Sequence, residues 1–218
     1  EEAWRVFDVG FPALDLIKDG LFAAPDDVYA RYQLDPKRPT LIFTQHSVAT
    51  EFDVAGEQVN PSLAALQEAG EKWGCQVILT YPNDDAGGRR IMKELEDFNA
   101  RDLPFVQLHQ SLGRSYYHGV LNIADACLGN SSSGIKETPV FHCPCIDIGS
   151  RQQGRLRGDN VIDTEYNKEE ILAAIERCLF DEGFKNQVKT CENPYGAGNA
   201  GPRIADTLAT ISIDSELI

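Results

Sequence analysis

The segment Gly129-Asn130-Ser131-Ser132-Ser133-Gly134-Ile135-Lys136-Glu137 brings small residues, three hydroxyls and a carboxylate into one short stretch. Small side chains let a ligand approach the backbone, hydroxyls add donors, and the unpaired N–H groups opening a helix favour an anion. Ser131, Ser132, Ser133 and Gly134 therefore outline a diphosphate cradle. The same residues also fit a serine cap on an ordinary helix. Glu137 follows one turn into that helix, where a carboxylate can accept both hydroxyls of a ribose, or serve as a routine first-turn acid.

Two further constellations extend the chemistry. Arg151 and Arg155 stand in the glycine-bounded loop Gly149-Ser150-Arg151-Gln152-Gln153-Gly154-Arg155. Guanidinium forks suit phosphate oxygens, and glycines at both ends suit backbone that turns sharply. His46 directly follows an apolar run, and an imidazole there can donate a hydrogen bond or move a proton near neutral pH. His109, His118 and His142 read as structural. The cluster His142-Cys143-Pro144-Cys145 has no second Cys/His pair at ligand spacing, so no metal is expected.

These residues need a scaffold, and the hydrophobic pattern supplies one. Short apolar runs read as strands over Leu41 to Thr44, Gln76 to Thr80, Phe105 to Leu108, Ala126 to Leu128, Cys145 to Ile148 and Asn160 to Ile162. Helical spacing appears between them, over Ser62 to Trp73, Arg89 to Phe98, Tyr116 to Ala124 and Glu169 to Phe180, and again over Ala200 to Ile211. The alternation predicts an α/β fold, a Rossmann-like parallel sheet flanked by helices. Residues 1–40 form a lead-in with a helix start at Pro25, and a C-terminal helix covers about 199–212. Such sheets bind ligands beyond the carboxyl ends of their strands. His46, the serine segment and the arginine loop all follow strands, so they fall on that edge.

Composition narrows the partners. The formal charge of -14 disfavours nucleic acid and anionic membranes, without excluding one small anion held by local donors. No apolar run approaches the ~20 residues of a membrane span, and Glu1-Glu2-Ala3-Trp4-Arg5 carries no export signal. Six cysteines, most of them in apolar segments, read as buried thiols of a reducing cytoplasm. At 218 residues, one domain spanning 1–218 is expected.

The serine segment, the arginine loop, Thr44-Gln45-His46, Asn193-Pro194-Tyr195-Gly196-Ala197-Gly198-Asn199-Ala200 and the lead-in Val9-Gly10-Phe11-Pro12-Ala13-Leu14-Asp15 together resemble the hydrolysing UDP-N-acetylglucosamine 2-epimerases. The resemblance covers nearly the whole chain. It implies one half of a two-domain, glycosyltransferase-B-type architecture, with the N-terminal catalytic domain and its acidic residues lying ahead of Glu1. It also implies that Ser131, Ser132 and neighbouring N–H groups hold the UDP diphosphate, that Glu137 binds the ribose, and that Arg151 shares the pocket. Asn83 and Arg89 would stand near the nucleotide, main chain around Leu112 would meet the uracil, and His46 would be the catalytic histidine of this half. The implied ligand is UDP or a UDP-N-acetylhexosamine, with no cofactor. A homo-oligomer is compatible with the sequence. A glycosyltransferase half and a non-catalytic UDP-sugar-binding module remain alternatives on the residues alone.

Overall fold

The computed structural model describes residues 2–211. Six parallel strands, β1 Thr40–Thr44, β2 Gln76–Thr80, β3 Val106–His109, β4 Ala126–Gly129, β5 Cys145–Ile148 and β6 Val161–Thr164, form a sheet in the order β3-β2-β1-β4-β5-β6. This is the doubly wound arrangement, and β1 and β4 are neighbours across its switch point, with Thr44 opposite Gly129.

Alternation along the strands divides the core. Leu41, Phe43, Val77, Leu79 and Leu128 face a layer built from α3 Ala55–Trp73, α4 Gly88–Asn99, α7 Lys168–Phe180 and α8 Glu182–Lys189. Ile42, Ile78 and Cys127 face the opposite layer, where α2 Pro25–Tyr32 packs on α5 Gly113–Leu121. Both faces are covered, so the central strands are apolar throughout rather than half polar. Two shorter helices, α1 Ala13–Lys18 in the lead-in and α6 Ser133–Lys136 after β4, complete the set with α9 Ala200–Thr210.

All six expected strands exist, with β3 shifted one residue toward the C-terminus and β6 starting one residue later and ending two later. The helices differ more. α3 begins seven positions before Ser62 and runs through Pro61, which the sequence reading treats as preceding the helix. A proline inside a helix costs about 3 kcal/mol. Full burial of Ala55 and Val59 opposes that cost. α5 starts at Gly113, three residues before the expected Tyr116, because the Ser111 hydroxyl accepts from the Gly113 N–H and the glycine takes a φ of +69°. Asp15 accepts from the Ala200 and Gly201 N–H groups at 2.9 and 2.6 Å, so the lead-in caps α9. The residue-212 end of the expected C-terminal helix lies outside the described residues.

Candidate functional site

The switch point is closed by one glycine and one asparagine. Gly129 has a φ of +121°, and a Cβ there would sit 1.9 Å from the Thr44 carbonyl oxygen, so only glycine lets β4 end against β1. Asn130 is fully buried. Its Oδ1 accepts from the His46 N–H at 2.7 Å and its Nδ2 donates to the His46 carbonyl at 2.9 Å. The Asn130 carbonyl in turn accepts from Arg151 Nη1 at 3.1 Å and Gln152 Nε2 at 2.7 Å. The loops after β1, β4 and β5 are thereby fastened together at a single residue.

Above this junction opens a cleft of about 440 Å³. Thr44, His46, Thr80, Leu112, Ser131, Ser132, Ser133 and Glu137 line it, with His118 and Tyr117 of α5 on the far wall. The N–H groups of Ser131 and Ser132 have no acceptor among the described residues. The Ser133 hydroxyl is engaged, touching Tyr117 Oη and donating to Ser131 Oγ at 3.2 Å. Burial drives the Tyr117 phenol well above its ordinary pKa, so it stays a neutral donor or acceptor. The expected helix after the serines is a single turn, α6, followed by a 3-10 turn over Thr138–Phe141. Pro139 ends the α-helical ladder, because it supplies no N–H to continue the i→i−4 bonds.

His46 is held as a donor. Its Nδ1 accepts from the Asn83 N–H at 3.0 Å, which assigns the ring hydrogen to Nε2. Desolvation first, and the Arg151 guanidinium second, lower its pKa to about 4, so the ring is uncharged near neutrality. Arg151, half-buried, has its own pKa depressed by desolvation.

The structure thus brings His46, Ser131, Ser132, Ser133, Glu137 and Leu112 into one cleft. Arg151 lies behind it on the Asn130 carbonyl, and Asn83 touches it only through His46. Arg89 is exposed and has no polar partner among the described residues. Gly134 is buried away from the cleft, where a Cβ would meet Cys145 Sγ at 2.9 Å. Arg155 is exposed.

Two residues escaped the sequence reading. Arg157 organises the arginine loop, bonding Asp147 at 3.1 Å, Asp163, and the Gln152 carbonyl at 2.9 Å. Desolvation raises the Asp147 carboxyl to about 6 against the pull of Arg157. The signal was a carboxylate inside the apolar strand Cys145-Ile146-Asp147-Ile148, which demands a cation. The second is His118, whose Nε2 lies 3.0 Å from Glu137 Oε2. The sequence reads it as structural, and nothing there signals that partner. All six cysteines are free and buried. No helix among the described residues is long and apolar enough to cross a membrane.

Comparison with known proteins agrees with this architecture. The family described as UDP-N-acetylglucosamine 2-epimerase matches residues 1–209. A UDP-N,N'-diacetylbacillosamine 2-epimerase (hydrolyzing) of Legionella pneumophila is 31% identical over all 218 residues and 55% of its own length. A GDP/UDP-N,N'-diacetylbacillosamine 2-epimerase (hydrolyzing) of Campylobacter jejuni is 33% identical over 167 residues, 77% of this chain and 43% of the relative. The chain thus spans about half the length of these relatives. A crystal structure of the UDP-GlcNAc 2-epimerase of Neisseria meningitidis bound to UDP-GlcNAc superposes with a TM-score of 0.76 at 16% identity, over 93% of this chain and 55% of that one, a likeness of fold. With its doubly wound sheet, its switch-point cleft and a family match along nearly its entire length, the chain belongs to the UDP-N-acetylglucosamine 2-epimerase family.

Proposed function

We propose that this chain is the UDP-binding half of a hydrolysing UDP-N-acetylhexosamine 2-epimerase, completed by a domain that precedes it. The observation that carries the reading is the cleft itself: it is lined by Ser131 and Ser132, whose N–H groups have no acceptor among the described residues, and by Glu137. The N–H pair and the free Ser132 hydroxyl suit diphosphate oxygens. Glu137 accepts ribose hydroxyls, main chain at Leu112 meets the uracil, and Arg151, Asn83 and Arg89 surround the nucleotide.

In the complete enzyme a base removes the sugar C2 proton, UDP departs by anti elimination to leave a 2-acetamidoglucal, and water adds to give N-acetylmannosamine and UDP. Negative charge grows on the departing phosphate oxygen, where fixed donors contribute most. His46 fits that role as an Nε2–H donor, since its Nδ1 is already occupied and its ring is uncharged near neutrality. Among the described residues, Glu137 is the sole carboxylate lining the cleft, and it is engaged by His118. An acid–base set must then come from the preceding half, and the chain alone binds UDP without turning over substrate. The names of the Legionella and Campylobacter relatives favour a second reading of the sugar, a diacetamido hexose in place of N-acetylglucosamine.

Calorimetric titration of the chain with UDP, with Glu137→Gln and Arg151→Ala as controls, tests the binding claim. Each variant loses roughly 1.5–3 kcal/mol of affinity. Unchanged affinity in both variants overturns the placement of the pocket. Joined to its preceding half, the protein releases UDP from UDP-N-acetylglucosamine or its diacetamido relative, and the faster of the two names the sugar. Hydrolysis by the 218-residue chain on its own refutes the half-enzyme reading.

A further inference from the structure

Glu137 does not stand alone in the cleft. Its Oε2 lies 3.0 Å from His118 Nε2, and both side chains are largely withdrawn from water, 13% and 4% exposed. A carboxylate only accepts, so the imidazole hydrogen is on Nε2 and points at Glu137. The other ring nitrogen, Nδ1, is buried with no partner among the described residues. The ring is packed rather than free: Phe141 lies against it with ring centroids 5.9 Å apart, and it sits on a helix closely packed against its neighbour. That close packing comes from the next residue, Gly119, where a Cβ would meet the Ala23 carbonyl and Val28 Cγ2 at 2.8 Å, so α5 is seated hard against α2.

We propose that His118 is a positioning residue that sets the ribose selectivity of the cleft, by fixing one oxygen of Glu137 and turning the other toward the sugar of the nucleotide. This rests on the UDP-binding reading above. A glutamate has three rotatable bonds, and its place between the single turn α6 and the 3-10 turn does not by itself choose among its rotamers. One hydrogen bond from a packed donor removes that freedom before ligand arrives, so ordering is not charged against binding. His118 lines the same cleft, but its Nε2 hydrogen is directed at Glu137 and not at the ligand. The selectivity it confers is for a vicinal diol: a ribonucleoside diphosphate is preferred over its 2′-deoxy counterpart, because a group built to accept two hydroxyls is left half-satisfied by one.

The test is the ratio of the Kd values for 2′-deoxy-UDP and UDP, measured calorimetrically on the full chain. The wild-type protein prefers UDP by tenfold or more. His118→Leu, close in volume and without a donor, weakens UDP about fivefold to tenfold while leaving 2′-deoxy-UDP within about twofold, so the ratio collapses toward one. His118→Gln, whose amide nitrogen reaches a similar point, restores most of the ratio. Glu137→Gln combined with His118→Leu loses little more than Glu137→Gln alone, since both act through one contact. If Leu is not accommodated, His118→Met fills the space more flexibly and reads the same ratio. A wild-type protein that binds UDP with the expected preference, alongside an apolar His118 variant that keeps the ratio, overturns the positioning role alone. A wild-type protein that does not bind UDP overturns the functional reading on which it rests.

Discussion

The two halves of the cleft rim are built differently. On the β4 and β5 side, Asn130, Gln152 and Gly134 are buried, and Arg157 ties Asp147 and Asp163 to the main chain of the arginine loop. On the β2 and β3 side, Asn83, Asp84, Asp85, Gln110, Ser111 and Arg114 are exposed. One hydrogen bond, from the Asn83 N–H to His46, links the β2 loop to the β1 loop at the site. Oriented donors must be fixed in advance to hold a diphosphate well, whereas a base and a sugar can be enclosed by loops that close around them. The difference teaches that one side of the cleft is fixed by buried polar contacts, as the proposed diphosphate seat requires, while the other side has few such contacts.

The comparison breaks most severely at Gly129. Gly129→Ala forces a methyl into the Thr44 main chain at a φ of +121°, where the nearest atoms are all backbone and no side chain can yield. We expect a loss of about 4 kcal/mol or more in chemical denaturation, beyond ordinary surface changes. Asn130→Ala comes next. It strips partners from the His46 N–H and carbonyl while leaving the Asn130 carbonyl to Arg151 and Gln152. Two part-buried backbone groups left unpaired cost about 2–4 kcal/mol together. The same variant should lose UDP affinity, because His46 is no longer held; affinity and stability both at wild-type values would show that the junction is decorative.

The rigid side is also the side that was legible in the sequence. Glycines and serines after a short apolar run suggest a strand end open to close approach, and Gly129 to Glu137 reads so without a structure. Partnerships across long separations do not read that way. Asn130 looks like one more polar loop residue until β1 is laid beside β4, and His118 joins Glu137 only because the fold brings the middle of α5 against the segment after β4. Pro61 misled for a related reason: local propensity ends a helix there, while burial of Val59 extends it. On the loose side, Asn83 and Arg89 were suggested by family resemblance alone, since an exposed loop residue and an exposed residue in the first turn of α4 carry no pattern that points to a ligand.

A third test sharpens the comparison through pH. Asp147 carries a carboxyl raised from 3.8 to about 6, with desolvation outweighing Arg157. Its contribution to stability is full below pH 3.8, declines as the unfolded chain ionises first, and is lost once pH passes about 6. The decline amounts to at most about 3 kcal/mol over that window. Asp147→Asn should flatten it, read as the difference between wild-type and variant unfolding free energies from pH 4 to pH 7. An unchanged slope would mean that the pair is solvated and the arginine loop less rigid than its bonds indicate.

Smaller still is the reach of the rigid side into His46. Its imidazole should titrate near pH 4 by NMR. Removing the neighbouring charge with Arg151→Met should move that midpoint upward yet keep it below 6.5, because burial is the larger cause and persists. A midpoint at 6.5 in the wild-type protein would place the ring in water.

The smallest expected effect is on the loose side, at Arg89. The side chain is exposed and has no polar partner among the described residues, so Arg89→Ala should change unfolding free energy by less than about 0.5 kcal/mol. Its effect on UDP is the informative half of the measurement. If the β2 side is ordered by ligand, Arg89 contributes only in the complex, and the variant binds UDP several-fold more weakly at unchanged stability, with a shallower dependence on salt as expected for a lost phosphate contact. Equal affinity in wild-type and variant proteins would confine the nucleotide to the β4 side of the cleft. A large loss of stability would show instead that Arg89 has packing duties in the folded chain, and the contrast between a fixed wall and a mobile one would no longer hold.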